Sequence, residues 1–131
     1  MGLVKKLLIK EGFHVTVVNA PADFQLPTEE LPSNVSQSVG LEESHYDLIL
    51  LFVSSSQELA QYVPLLIPKL DRNTYLWVAF PKKSSKIKTD INRDHGWERI
   101  EEAGYLGVSL ISIDDTWSAF RVRHKSLVKT K

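Results

Sequence analysis

The sequence predicts a single α/β domain, a three-layer sandwich whose mostly parallel sheet of about five strands ends in an antiparallel hairpin. Segments typical of helices and strands alternate along the chain, which favours a parallel sheet with helices on both faces. Residues 46–53 and 75–80 are nearly unbroken apolar runs, the pattern of strands buried on both faces. Asp114-Asp115 is a tight turn between the last two strands, which therefore run antiparallel.

Length and composition fit one globular domain. The chain has 131 residues, of which 43% are hydrophobic and 24% charged. It contains no cysteine, which excludes disulfides, zinc–thiolate sites, iron–sulfur clusters and thiol catalysis. No apolar run approaches the length of about 18 residues that a membrane span needs, and the start lacks the pattern of a secretory signal. We therefore expect a cytoplasmic protein with no membrane association.

Charge is balanced overall but divided unequally along the chain. The sixteen basic and sixteen acidic residues cancel, which argues against nucleic-acid binding as a function. Residues 1–70 hold four basic and eight acidic side chains, whereas residues 71–131 hold twelve basic and eight acidic ones. Any surface that binds anions is therefore expected in the second half.

The first half predicts one helix and two strands around a long connection. Leu3, Val4, Leu7 and Leu8 lie at helical spacing, and Gly12 ends that helix. The β-branched run 13–18 predicts a strand, and the apolar run 46–53 predicts the next one. Residues 21–44 are rich in loop-forming residues, and we expect a turn of helix near 28–31, or a lid, within them.

The second half predicts two helices, three strands and a basic tail at 125–131. Ser55 and Glu58 form a capping-box pattern that opens a helix reaching residue 70, which Pro64 and Pro68 should kink or divide. A strand at 75–80 is followed by a basic loop, a helix over 91–103 and a strand at 106–113. The last strand covers 117–123.

The basic loop is the first candidate site. It follows the carboxyl end of a buried parallel strand, the edge of an α/β sheet where ligands bind. Ammonium and hydroxyl groups there could hold a phosphate or another anion, although a solvated loop explains the same pattern. The residues concerned are Lys82, Lys83, Ser84, Ser85, Lys86, Lys88 and Thr89.

Three serines form the second candidate site. Ser54, Ser55 and Ser56 follow the neighbouring strand and open a helix, whose N-terminus attracts anions. Simple helix capping is the alternative. If both sites serve one anion, the serines and the basic loop should lie close together at the same sheet edge.

Arg121 and Arg123 are candidates for buried charges. Alternation along the last strand places both on the face that carries Trp117 and Ala119. Partly buried guanidinium groups need partners, either internal carboxylates such as Glu98, Glu101 and Asp114 or a ligand carboxylate. The four histidines are scattered, and no spacing indicates catalytic residues or a metal site.

The layout of the chain resembles the second half of a class I methyltransferase domain. That half has a Tyr-Asp apolar strand, a helix ending in a Leu/Pro stretch, a further strand, a helix ending in Ala-Gly and a terminal hairpin. The resemblance implies a Rossmann/methyltransferase-like sheet of strand order 1-2-3-5-4. Such enzymes hold S-adenosylmethionine with a glycine-rich loop after the first strand, where this chain has Asn19-Ala20-Pro21 without glycine.

A closer resemblance is to an uncharacterised bacterial family, a domain of unknown function. Its signatures are similar to Leu76-Trp77-Val78 through Pro81-Lys82, to Lys88-Thr89-Asp90, and to the stretch from Asp114 to Arg123, DDTWSAFRVR. The early segment KLLIKEG and Asn19-Ala20-Pro21 also fit. This resemblance implies no activity.

Two functions from different classes follow from these observations. The first is a non-enzymatic binding or regulatory module with a degenerate methyltransferase-like fold, which takes a small anionic ligand or a protein partner. The second is a small-molecule transferase-like enzyme acting on an anionic or phosphate-bearing ligand at the carboxyl ends of the parallel strands. The missing glycine loop and the lack of a catalytic constellation favour the first, so we expect neither cofactor nor metal.

Overall fold

The computed structural model describes residues 2–22, 24–43, 45–70, 74–83, 85–92 and 95–127. The helices are α1 (Leu3–Lys6), α2 (Ser56–Leu66) and α3 (Glu98–Glu102). The strands are β1 (His14–Val18), β2 (Ser36–Val39), β3 (Leu48–Phe52), β4 (Tyr75–Pro81), β5 (Tyr105–Ser112) and β6 (Trp117–His124). Short 3₁₀ turns cover Thr28–Glu30, Ile67–Lys69 and Lys125–Leu127.

The strands form one mixed sheet of order β2-β1-β3-β4-β6-β5. The pairs that join β2, β1, β3 and β4 are parallel, whereas β6 is antiparallel to both β4 and β5. The predicted α/β class and the position of the last strand between its two neighbours are therefore confirmed. The sheet has six strands rather than about five, because Ser36–Val39 pairs with β1 at one edge.

Two apolar layers hold the sheet between helices. Alternate residues of β3 and β4 face α2 and α3 on one side, where Leu59, Leu66 and Ile100 complete the layer. The other residues face α1 and the connection after β1, where Val4 and Leu7 complete the second layer. All five residues of β3 are buried, as expected for a strand covered on both faces.

Three predicted helices differ from the observed ones. The first ends at Lys6 instead of continuing to Gly12, since Leu8 already adopts a left-handed conformation with a φ of 69°. The predicted helix over 91–103 is reduced to Glu98–Glu102, because Gly96 has a φ of 98° and interrupts it. The helix after the serines runs through Pro64 without a break and ends before Pro68 in a 3₁₀ turn.

The long connection at 21–44 contains both the expected 3₁₀ turn and the unexpected strand β2. In the part of the chain that the structure describes, no helix has the length and apolar character to cross a membrane. Of the basic tail, only Lys125–Leu127 lies within the described residues.

Candidate functional site

The strand order reverses direction between β1 and β3, and polar groups meet at the carboxyl ends of these strands. Asn19 follows β1 with a φ of 61°, a left-handed conformation that asparagine tolerates better than most residues. Its side-chain amide donates to the carbonyl oxygen of Phe52 at the end of β3, at 2.8 Å. The Asn19 side chain therefore links the two strand ends at the crevice where open α/β sheets bind ligands.

The serine triplet begins α2 and is engaged in capping it. The Ser55 hydroxyl oxygen accepts from the backbone N–H of Glu58 at 3.1 Å. The Glu58 carboxylate in turn accepts from the backbone N–H of Ser54 at 2.6 Å. This is the reciprocal arrangement of a capping box, with the return bond displaced by one residue from Ser55 to Ser54.

Asp90 brings the basic loop to the same helix end. Its carboxylate accepts from the backbone N–H of Ser56 at 2.8 Å and from the Ser56 hydroxyl. These two hydrogen bonds lower the pKa of Asp90 below its ordinary value, because both stabilise the ionised carboxylate. The loop and the serines therefore meet, and the anion at the N-terminus of α2 is a carboxylate of the chain itself.

The basic loop lines a solvent-open cavity of about 490 Å³. Three ammonium-bearing side chains, two hydroxyls and one amide line it together with two isoleucines. The polar residues are Lys83, Ser85, Lys86, Lys88, Thr89 and Asn92. Two side-chain hydroxyls accept hydrogen bonds from backbone N–H groups within the loop. The Ser85 hydroxyl accepts from Ile87 at 3.4 Å, and the Thr89 hydroxyl accepts from Ile91 at 3.0 Å.

Lys82 lies apart from this cavity. Its backbone N–H donates to the carbonyl of Thr116 at 2.7 Å, and its ammonium group donates to the Ser112 hydroxyl at 2.6 Å. Both contacts tie the start of the loop to the hairpin of β5 and β6. Ser84 lies outside the described residues.

The structure thus divides the predicted anion-binding residues into two groups. Lys83, Lys86 and Lys88 line the cavity together with Ser85 and Thr89. Ser54, Ser55 and Ser56 lie outside its lining, engaged in the contacts described above. The contact of Asp90 with Ser56 was not predicted, because the two residues are 34 positions apart and no local sequence pattern records such a contact.

Arg121 and Arg123 lie on the predicted face of β6, but the expected carboxylate partners are absent from it. Among the described residues, neither arginine forms an ion pair with Glu98, Glu101 or Asp114. Arg121 instead stacks on Tyr75, with its guanidinium carbon 4.5 Å from the ring centroid. The prediction of internal ion pairing is therefore wrong for Arg121, whose partner is an aromatic face.

A second cavity, of about 430 Å³, lies beside β2 and was not predicted. The connection after β1 forms one wall, and the exposed edge strand forms the other. Its lining includes Val17, Phe24, Leu26, Gln37 and Val39. Nothing in the local sequence indicated this cavity, because β2 itself was not recognised.

Solved methyltransferase structures share this fold. The chain is similar to a SAM-dependent methyltransferase from Aquifex aeolicus, at 14% identity with a TM-score of 0.67, over 92% of this chain and 86% of that one. It is also similar to a fibrillarin pre-rRNA processing protein from Methanococcus jannaschii, at 14% identity with a TM-score of 0.57, over 89% of this chain and 68% of that one.

A third similar structure is a protein of the NADB-Rossmann superfamily from Streptococcus agalactiae. The identity is 13% and the TM-score 0.55, over 97% of this chain and 69% of that one. The chain therefore has a Rossmann-like, methyltransferase-like fold, and identities this low show the fold alone. No protein-family model matches the chain, and no curated protein matches it either.

The residues after β1 do not fit a cofactor held by a glycine-rich loop. Asn19, Ala20 and Pro21 stand where the backbone would need to approach the ligand closely, and the Asn19 side chain spans the gap to β3. Phe24 follows in the chain, and its ring packs on Phe52 with centroids 4.8 Å apart. The described residues between β1 and β2 form no α-helix. A helix N-terminus is therefore missing from this position.

Proposed function

We propose that this protein is a non-enzymatic binding module with a methyltransferase-like fold, and that it binds a small phosphate-bearing anion in the cavity of the basic loop. One observation carries the proposal: Lys83, Lys86 and Lys88 line a single cavity of about 490 Å³. That volume lies within the range of about 300–1,000 Å³ that is typical of small-molecule sites. Exposed ammonium groups without a carboxylate among the described lining residues favour an anionic ligand.

The anchoring of the loop supports a binding role. Asp90 fixes one end of the loop on α2, and Lys82 fixes the other end on the hairpin. A loop held at both ends loses less conformational freedom when a ligand binds, which improves affinity. The lining residues that the structure describes include neither a carboxylate nor an imidazole, the groups that most often transfer protons in catalysis.

We also propose that the chain belongs to the bacterial family of unknown function and that the protein is cytoplasmic. The signature segments of that family include the end of β4, the Lys88-Thr89-Asp90 part of the loop and the turn before β6. Contacts of Lys82 with Ser112 and Thr116 join the first and third of these segments at the base of the basic loop. Their spatial proximity supports a shared role around the cavity.

Thermal melting against a panel of anions tests the proposal. The panel contains inorganic phosphate, pyrophosphate, nucleoside mono- and triphosphates and S-adenosylmethionine. A phosphate-bearing compound at about 100 times its dissociation constant should raise the free energy of unfolding by roughly 2.7 kcal/mol. A panel in which none of the phosphate compounds changes the melting temperature would contradict the proposal.

A triple variant, Lys83→Ala/Lys86→Ala/Lys88→Ala, locates the binding. We expect its affinity to fall at least tenfold, since each exposed contact contributes on the order of 1 kcal/mol. The control Lys5→Ala/Lys69→Ala/Lys125→Ala removes the same charge elsewhere and should bind as the wild type does. Equal weakening in both variants would mean that net charge, rather than the cavity, attracts the anion.

The alternative function is a small-molecule transferase acting on the same class of ligand. The methyltransferase-like sheet favours it, because the crevice between β1 and β3 lies at the edge where such enzymes bind their substrates. Saturable binding of S-adenosylmethionine that survives the triple variant would favour this alternative over the binding module.

A further inference from the structure

A second group of cations lies at the opposite end of the sheet. Lys10 and Arg121 contact Tyr75, and Arg123 lies near Arg121 on the same face of β6; we call these four residues the Tyr75 cluster. Tyr75 begins β4, Lys10 precedes β1, and the two arginines lie near the end of the antiparallel strand β6. The cluster is therefore at the amino-terminal ends of the parallel strands, about 20 Å along β4 from the basic loop.

Two of the cations contact the tyrosine directly. The guanidinium of Arg121 lies over the Tyr75 ring at 4.5 Å, and the Lys10 ammonium lies 5.8 Å from the same ring centroid. Lys10 also donates to the Tyr75 hydroxyl at 3.4 Å. Positively charged groups therefore contact Tyr75 both at its ring face and at its hydroxyl oxygen. Because the hydroxyl oxygen accepts from Lys10, the hydroxyl can still donate its own proton to a further acceptor.

The cluster has an unmatched positive charge. Among the described residues, no carboxylate forms an ion pair with Lys10, Arg121 or Arg123. Burial lowers the pKa of Arg121, the interaction with Tyr75 opposes this shift, and repulsion by Arg123 adds to it. Like charges held on one face of a strand cost free energy unless a counter-charge compensates for them.

One donor in the cluster is also unsatisfied. The Arg121 Nε is buried and finds no hydrogen-bond partner in the part of the chain that the structure describes. A buried donor without a partner costs about 1–3 kcal/mol, which makes such groups rare in folded proteins. An acceptor placed against the guanidinium edge would satisfy this donor and neutralise charge at the same time.

We propose that the Tyr75 cluster is a second anion site, distinct from the basic loop, which takes a carboxylate or phosphate group. Arg121 supplies the planar donor edge that matches two oxygens of such a group, with the Tyr75 ring fixing the guanidinium plane. Arg123 and Lys10 supply the additional charge. Exposure of Lys10 leaves the cluster open to solvent on that side.

Nuclear magnetic resonance of the arginine Nε–Hε groups tests this site. The titration uses the Lys83→Ala/Lys86→Ala/Lys88→Ala variant, so that the basic loop does not compete for the anion. Inorganic phosphate and acetate are added in separate titrations at constant ionic strength. We expect a saturable shift of the Arg121 Hε resonance, with a dissociation constant on the order of 1 mM or tighter for the preferred anion.

Two variants decide whether the cluster is responsible. Arg121→Lys identifies the resonance by its disappearance, and the remaining Arg123 Hε resonance should then show no saturable shift, because lysine lacks the planar fork that holds the anion. Lys10→Ala changes an exposed side chain and should weaken binding about tenfold without loss of folding. A shift that is linear in anion concentration, or one that Lys10→Ala leaves unchanged, would overturn the proposal. The comparison of phosphate with acetate shows which group the site prefers.

Discussion

Asp90 is the residue whose contacts most directly connect the loop to the rest of the molecule. Its carboxylate lies at the N-terminus of an eleven-residue helix and accepts from Ser56 through both the backbone and the hydroxyl. Negative charge at this position is favourable because the first N–H groups of a helix are unpaired and positively polarised. Asp90 therefore stabilises α2 and anchors one end of the loop that carries the lysines.

The change Asp90→Asn should lower the free energy of unfolding by about 0.3–1 kcal/mol at neutral pH, the usual contribution of a charge at a helix N-terminus. Because the folded state lowers the pKa of Asp90 from 3.8, the contribution is complete above that value. It is lost as the pH falls through the lower pKa of the folded state. Melting curves of both proteins between pH 7 and pH 2 measure this difference.

The control for this measurement is Asp115→Asn, which removes the same charge from an exposed turn. Its difference from the wild type should be small at every pH. If Asp90→Asn and the wild type kept a constant difference down to pH 2, the carboxylate charge would not be the cause of the stabilisation.

At the residue scale, the sequence predicted contacts that are local and missed those that are distant. Ser55 and Glu58 were recognised because a capping box has a fixed spacing of three residues. The stacking of Arg121 on Tyr75 joins residues 46 positions apart, and no short pattern encodes it. The lysines of the cavity were identified because they are adjacent in sequence.

At the scale of the elements, buried strands were easier to predict than edge strands. The strands β3 and β4 are continuous apolar runs, since helices or loops cover both of their faces. The sequence of β2 is Ser-Gln-Ser-Val, which has no apolar alternation because this strand lies at the sheet edge and is mostly exposed. Its formation depends on pairing with β1, and only the folded chain provides that partner.

The hairpin of β5 and β6 contains a close contact that requires glycine. A Cβ atom at Gly107 would lie 2.2 Å from the ring of Phe120. This ring cannot move away freely, because it packs edge-on against Trp97 with centroids 5.1 Å apart. The register between the two strands also shifts between Gly107 and Ser109.

We expect Gly107→Ala to destabilise the protein by about 1–3 kcal/mol, the usual cost of overpacking. Denaturant unfolding followed by circular dichroism measures the loss. Phe120→Leu removes the atoms that clash, so the double variant should be more stable than the sum of the two single changes predicts. Additive effects would show that the contact with Phe120 is not the cause.

At the scale of the whole molecule, one sheet is shared by two apolar layers. The layer beneath α1 depends on a helix of only four residues. Trp77 strengthens this layer, because its indole N–H donates to the backbone carbonyl of Leu7 at 3.0 Å. Leu7 itself is fully buried in the same layer. The short helix is therefore held by the sheet rather than by its own hydrogen bonds.

Because the residues of β3 and β4 alternate between the two layers, damage to one layer should destabilise the entire domain. Leu7→Ala leaves a cavity beneath the sheet and should lower the free energy of unfolding by about 2–5 kcal/mol. The control Leu65→Ala, at an exposed position of α2, should change it by no more than about 0.5 kcal/mol. Tryptophan fluorescence and far-ultraviolet circular dichroism should report the same single transition in each variant, as cooperative unfolding requires. Two separate transitions in Leu7→Ala would mean that the α1 layer unfolds independently of the sheet, contrary to this account of the core.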